Sequence, residues 1–452
     1  MSINRKKLGA LLSVVAICIA VASTAGAASQ KGATLSPIKI GGTFPLTDGP
    51  NPNISLYKTI TYAEQAYFGY INSKGGVNGH PIQDIALDDQ YVPSETVQDD
   101  KTLVESDHVS AIVGSLGTAT GIQTMGYLNN KKIPQVLLAT GDAYWGLCAL
   151  KGAAFHKIPH ICTKTRSWTE GWQTDYPGEA RMYAKYILNH VANPKIGVLY
   201  QNDLYGQNYY AGFQQGLGSH KNDIIHTEAY APSEQPGQIS ARVGQIALHG
   251  CNVFVIFATP GASITALATE TALSYSPLTI LNNVSANRVF MLTAQAHGAN
   301  VNGVLSTTYI QSQTATPSAP AMQLGKAIIY GTGNAGLKHQ WDIGDNNLVY
   351  GLAVAWTFVD ALKHAPKFLA NPNTTAGRAA LMTALRTLNE AGKNANPFVY
   401  PSIVVKTSAS RTFPMQQLEL QHWQGQTNSC DPSTGSSCGD WTTFGNVVNS
   451  GH

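Results

Sequence analysis

Charge is scarce in this sequence. Only 12% of the 452 residues are Asp, Glu, Lys or Arg, against about 25% in an ordinary globular chain. Lys and Arg number 29 and Asp and Glu 26, so there is no basic surplus for the clustered phosphate contacts of a nucleic-acid binder, and that class is excluded. The surface has to be rich in Ser, Thr, Asn and Gln, as is common outside the cell. Long apolar runs are also missing: past the N-terminus no stretch reaches eighteen uninterrupted apolar residues, so nothing there is expected to cross a membrane. No G-x-S-x-G elbow, H-E-x-x-H helix or Walker loop occurs. The expectation is a protein that is not an enzyme and has no cofactor and no metal.

What is present begins with an export signal. Arg5, Lys6 and Lys7 precede an apolar run over 8–22, and Ala25-Gly26-Ala27 supplies the small-residue pattern of a cleavage site. The run is about fifteen residues, short of the ~20 that a spanning helix needs. We therefore read 1–27 as a signal peptide and the protein as periplasmic or extracellular at the cell surface. A lipid anchor at Cys18 is the lesser alternative, because Ile17 is bulky where a small residue is required. Loss of 1–27 leaves 26 basic against 26 acidic residues, close to neutral.

The six cysteines agree with export. Cys148 and Cys162 flank one short insert, Cys430 and Cys438 flank another, and either pair suits a disulfide in an oxidising compartment. Pairing is not deducible from sequence alone. Cys251 opens an apolar strand and reads as a buried thiol. Cys148, His156, His160 and Cys162 raise a zinc alternative, but the spacing is unusual and Pro159 interrupts the helix that would align the two histidines.

From 37 onward short apolar runs alternate with helix-like segments. Strands are predicted at 38–42, 82–87, 109–114 and 135–139, with helices at 60–73 and 121–130. After an aperiodic stretch over 141–171 the rhythm restarts, with strands at 195–200, 224–229, 253–258 and 278–282 and helices at 177–190, 209–218, 239–249 and 263–273. Further helices are predicted at 347–363 and 374–389, and strands at 403–406 and 415–423. Two such sets predict an α/β protein of two doubly wound parallel-sheet lobes. In such sheets ligands bind beyond the carboxyl ends of the strands. Gly331, Gly333 and Gly336 fit G-x-G-x-x-G, but they follow a helix and read as a helix-ending loop. Asp88 and Asp89, neighbours on a strand, face opposite ways and end it rather than act together.

The motifs IKIGGTFPLT (38–47), INSKGGVNGHPI (71–82), DDQYVPSETV (88–97), VGSLGTATG (113–121), KKIPQVLLATG (131–141), VLYQNDLYG (198–206) and LNNVSA (281–286), in this order, give a resemblance. The chain resembles the substrate-binding proteins of branched-chain amino acid type ABC importers, the leucine/isoleucine/valine-binding family. That resemblance implies a type I periplasmic-binding fold with hinge strands, lobe one at 37–170 plus 307–400 and lobe two at 171–306 plus 401–448. It implies a monomer that delivers a small ligand to permease subunits, with a ligand-sensing module of a membrane receptor as the second reading and an extracellular enzyme a distant third. The family's cleft residues carry over to Gly117, Thr118, Ala119, Thr140 and Gly141 in lobe one, and to Tyr205 in lobe two. Trp172 and Tyr176 add an aromatic wall. Amino-acid binders of this family hold the ligand's ammonium with an acidic residue, and here that position is Asn283. The resemblance with this departure implies an aromatic or other non-amino carboxylate, with a branched-chain or other amino acid as the alternative.

Overall fold

The computed structural model describes residues 35–145, 167–408 and 413–450. Residues 1–27, read as a signal peptide and containing Cys18, and the Cys148–Cys162 insert with its two histidines lie outside the described residues.

Fourteen strands are described. The first five, β1 (Ile38–Phe44), β2 (Ile82–Asp88), β3 (Ile112–Val113), β4 (Gln135–Leu138) and β5 (Thr169–Gly171), form an all-parallel sheet in the order β2-β1-β3-β4-β5. Next come β6 (Ile196–Gln201), β7 (Ile224–Tyr230), β8 (Val253–Phe257), β9 (Leu278–Leu281) and β10 (Leu305–Thr308), and they repeat the same permutation, β7-β6-β8-β9-β10. A small antiparallel pair, β11 (Asn389–Glu390) and β12 (Val405–Lys406), follows. The hairpin β13 (Gln417–Asp431) and β14 (Ser436–Asn449) then extends the second sheet, antiparallel to β10. Each sheet is wound in two directions from one switch point, between β1 and β3 in the first and between β6 and β8 in the second.

The strands form where they do because parallel strands covered on both faces read as unbroken apolar runs. β8, VFVIF, is buried at all five positions. The helix Asn346–Lys363 is buried along nearly its whole length because it lies against Thr59–Ser73 in the first lobe. Their approach is close enough that a Cβ on Gly351 would stand 2.1 Å from the Ile60 carbonyl oxygen.

Four strands lie where no clear strand is predicted; one, β11, falls at the end of the predicted helix 374–389, which stops at Leu385. β5 sits inside the stretch read as aperiodic. β10 is LSTT, whose polar side chains are fully buried yet partnered, with Tyr183 Oη 3.1 Å from Thr307 Oγ1. β14 is polar and partly exposed, and it is held by its hairpin partner rather than by an apolar pattern. The predicted strand 109–114 shortens to Ile112–Val113, and 403–406 shortens to Val405–Lys406. Cys430 and Cys438 form a disulfide beside the hairpin turn, and Cys251 is a buried free thiol. The G-x-G-x-x-G stretch spans the end of the helix Pro320–Gly331 and the start of Ala335–Asp342. Asp88 and Asp89 end β2 as expected: Asp88 accepts from Leu46 and Thr47 N–H, and Asp89 from Tyr91 N–H. Among the described residues no helix is long and apolar enough to cross a membrane, and no His, Cys, Asp and Glu group is arranged to hold a metal.

The chain passes between the two sheets three times: after β5, after β10, and before β13. The second and third passages are tied by the Ile310–Val399 bridge and by Tyr400 N–H donating to the Tyr309 carbonyl at 3.0 Å. This arrangement turns the carboxyl ends of both parallel sheets toward one cleft.

Candidate functional site

The cleft encloses about 770 Å³ of empty space, part of it open to solvent. Its first-lobe wall starts at the switch point. Gly117 has φ of 115°, and a Cβ there would stand 2.6 Å from the Tyr91 ring, so only glycine lets the chain turn here beneath Tyr91. The helix Thr118–Lys131 begins at that turn, and its free N–H groups and positive dipole end face the cleft. Thr118 Oγ1 lies 2.7 Å from Thr140 Oγ1, which fixes both hydroxyls. Tyr176 contacts this pair, and its N–H donates to the Gly141 carbonyl at 2.8 Å.

The second-lobe wall is aromatic. Tyr176 stands edge-on to Tyr205 (5.2 Å between centroids) and stacks on Tyr209 (4.4 Å). Asp175 and Asp203 cap the helices Tyr176–His190 and Leu204–Leu217, accepting from Gly178 N–H at 2.6 Å and Gly206 N–H at 3.3 Å, and so place both tyrosines. Asn283 lines the cleft while its amide donates to the Thr307 carbonyl and its backbone N–H donates to Glu179 Oε1 at 2.7 Å. Glu179 also accepts from Tyr183 (2.7 Å) and Tyr209 (2.8 Å). Burial raises this carboxyl to about 7 despite those three donors.

Of the sequence-derived residues, Gly117, Thr118, Tyr176, Tyr205 and Asn283 line the cavity. Ala119, Thr140, Gly141 and Trp172 do not. Thr140 and Gly141 lie one layer behind, on Thr118 and Tyr176. Trp172 is fully buried at the first passage between the sheets, where its indole N–H donates to Thr357 Oγ1 at 3.0 Å. Sequence reasoning missed Tyr57, Tyr91, Tyr309 and Tyr350, which bring the lining tyrosines to six. Tyr91 had a signal in its position just past β2; the others had none.

Among the described residues the lining contains no Asp, Glu, Lys, Arg or His. The carboxylate that precedes the lining residues Asn346 and Asn347 is turned into the protein. Asp345 accepts from Thr59 (2.7 Å) and Asn287 (2.8 Å), and burial raises it to about 6. The lobes are closed on each other: Tyr57 donates to the Val284 carbonyl (2.9 Å), and Asn208 of the second lobe donates to Asp142 (2.7 Å) and accepts from Ala143 N–H (3.2 Å). Such a chamber has the groups to enclose one small molecule and hold it by ring faces and neutral dipoles.

The sequence profile described as periplasmic binding protein matches residues 37–399. The chain belongs to this family. Its fold is that of the type I periplasmic binding proteins of the leucine/isoleucine/valine-binding kind, and the family is one of solute-binding proteins that act outside the cytoplasm. Among solved structures, a branched chain amino acid ABC transporter protein from Thermus thermophilus with bound valine is 14% identical, with a TM-score of 0.72 over 92% of this chain and 97% of that one. A substrate-binding periplasmic protein from Ralstonia solanacearum is 16% identical, with a TM-score of 0.70 over 90% and 100%. A fatty acid ABC transporter substrate-binding protein from Thermomonospora curvata is 17% identical, with a TM-score of 0.66 over 92% of each chain. At these identities the likeness is one of fold. No functionally curated protein matches the chain.

Proposed function

We propose that this family member is an exported solute-binding protein that captures a small carboxylate without an amino group, preferably an aromatic one. It delivers that ligand as a monomer to the permease subunits of an ABC importer. In this reading 1–27 is removed on export, and the lobes divide as 37–170 plus 307–400 and 171–306 plus 401–448. The observation that carries the ligand class is a cleft lined by six tyrosines and, among the described residues, by no Asp, Glu, Lys, Arg or His.

A buried ammonium without a counter-ion is costly. Glu179 is not free to serve as one, because Asn283, Tyr183 and Tyr209 already occupy it. A carboxylate, by contrast, is accommodated by uncharged donors at a helix start and by threonine hydroxyls, and flat apolar surface is what ring faces accept best. The neighbours include one with valine and one named for fatty acids, so the fold alone does not choose among ligands.

A thermal-shift panel tests the class. Benzoate and hydroxybenzoates are expected to raise Tm while leucine and valine leave it unchanged. Stabilisation by leucine or valine with none by the benzoates overturns the reading. Asn283→Asp places a like charge beside the bound acid and is expected to weaken benzoate binding roughly tenfold or more, a loss of about 1.4 kcal/mol.

A further inference from the structure

Polar groups inside a closed cleft are either spent on the protein or left for what enters it, and most of the tyrosine hydroxyls here are spent. Tyr57 donates to the Val284 carbonyl, Tyr205 shares a hydrogen bond with the Asn282 amide, and Tyr350 donates to Gln173 Oε1 at 2.8 Å. Two groups at the hinge end are not. Gln173 is 3% exposed and Tyr309 is 2% exposed, yet among the described residues neither the Gln173 amide nitrogen nor the Tyr309 hydroxyl has a hydrogen-bond partner. Both residues line the cavity, and they sit on two different passages between the lobes. Both groups face the cavity, and once a ligand shuts water out an amide N–H and a hydroxyl left unpaired cost free energy that a pairing ligand avoids.

We infer that Gln173 and Tyr309 contact the ligand directly and select for an oxygen-bearing group, beyond the carboxylate, at its hinge end. The inference rests on the aromatic-acid reading above. Geometry favours it because both groups are held in advance. The bond from Tyr350 pins Gln173 Oε1, which fixes the amide plane and leaves Nε2 as the open donor. The Tyr309 ring stands edge-on to Trp172, 6.3 Å away, and Trp172 in turn stands edge-on to Tyr350 at 5.0 Å. Trp172 therefore acts as the platform for this pair rather than as a wall of the cleft. An amide nitrogen only donates, so the ligand atom it meets has to accept; a hydroxyl both donates and accepts, so a ligand hydroxyl suits the pair. On the second lobe, Asn283 and Gln421 both donate to the Thr307 carbonyl. Their amide oxygens have no donor among the described residues and are open to the proton of that hydroxyl. Because the pair rides on the hinge, a ligand that engages it also bears on lobe closure.

Calorimetric titration of benzoate and the three hydroxybenzoates into the full mature chain tests this. At least one hydroxybenzoate is expected to bind about tenfold more tightly than benzoate, the effect of one or two buried hydrogen bonds. Tyr309→Phe and Gln173→Met are each expected to bring that ratio toward one, with the hydroxybenzoate losing more affinity than benzoate. Gln173→Met also strands the Tyr350 hydroxyl and lowers Tm, whereas Tyr309→Phe breaks no hydrogen bond among the described residues and is the cleaner variant. Equal binding of all four acids overturns this inference alone. So does a hydroxybenzoate preference that survives both substitutions, the result expected if water satisfies the two groups. Failure of all four acids to bind overturns the aromatic-acid reading, and this inference with it.

Discussion

The two lobes meet at two kinds of contact. At the hinge the contact is aromatic and buried: Trp172, Tyr309 and Tyr350 meet edge to face, and Trp172 and Asn396 both hydrogen-bond Thr357. At the mouth it is a set of separate hydrogen bonds. These join Tyr57 to Val284, Asp142 and Ala143 to Asn208, Asp345 to Asn287, and Arg288 to the Ile343 carbonyl. Apolar burial has no preferred direction, so ring contacts tolerate a small rotation and keep most of their value. Directional bonds at the mouth are lost on rotation, but water replaces each at a net cost of only about 0.5–1.5 kcal/mol. The hinge therefore holds the molecule together in either state, while the mouth sets a shallow balance that a ligand can tip.

The largest test of that contrast is Trp172→Ala. Removing a fully buried indole from the hinge is expected to cost about 3–5 kcal/mol of stability, read as a fall in the denaturation midpoint. A loss near zero would mean that the hinge cluster is not core.

Next in size is pH. Burial raises Glu179 to about 7 and Asp345 to about 6, and it raises Asp84, Asp89 and Asp100 to about 7. In the unfolded chain these groups ionise near pH 4. Between pH 4 and 7 the folded state therefore binds more protons than the unfolded one, so stability falls as pH rises through that window and levels off above it. Unfolding midpoints at pH 4.5, 6 and 7.5 check the sign, and Glu179→Gln and Asp345→Asn are expected to flatten the slope. A midpoint that climbs across the same window contradicts the assignment of these carboxyls as buried and neutral.

The sheets were legible in the sequence wherever a strand is covered on both faces by apolar side chains, as in β1, β6 and β8. They were not legible at β10, where burial is achieved with Ser and Thr whose hydroxyls are bonded internally, or at β14, whose pairing comes from a hairpin rather than from its own pattern. At the site, Gly117, Thr118, Tyr205 and Asn283 came from the family resemblance, and strand order added only that a ligand is expected at strand carboxyl ends. Tyr57, Tyr309 and Tyr350 could not, because a tyrosine in a core and one on a cleft wall have the same local sequence. Trp172 shows the converse: it was expected to form part of the cleft wall but is fully buried behind the lining, because only packing separates a residue that reaches a cavity from one that supports a neighbour.

The smallest test lies at the mouth. Tyr57→Phe keeps the ring and its edge-on contact with Phe290, 5.5 Å away, and deletes only the bond to the Val284 carbonyl. The hinge is untouched, and the carbonyl left behind meets water once the lobes part, so the unfolding midpoint of the unliganded chain is expected to stay within the error of measurement. The closed form alone contains that bond, so the loss falls on closure. Benzoate affinity is expected to drop by about two- to tenfold, the worth of one neutral hydrogen bond, with the change in koff rather than kon because the bond forms after the ligand is seated. If Tyr57→Phe instead lowers stability as Trp172→Ala does and leaves affinity alone, the mouth is as much a part of the core as the hinge, and the division between them fails.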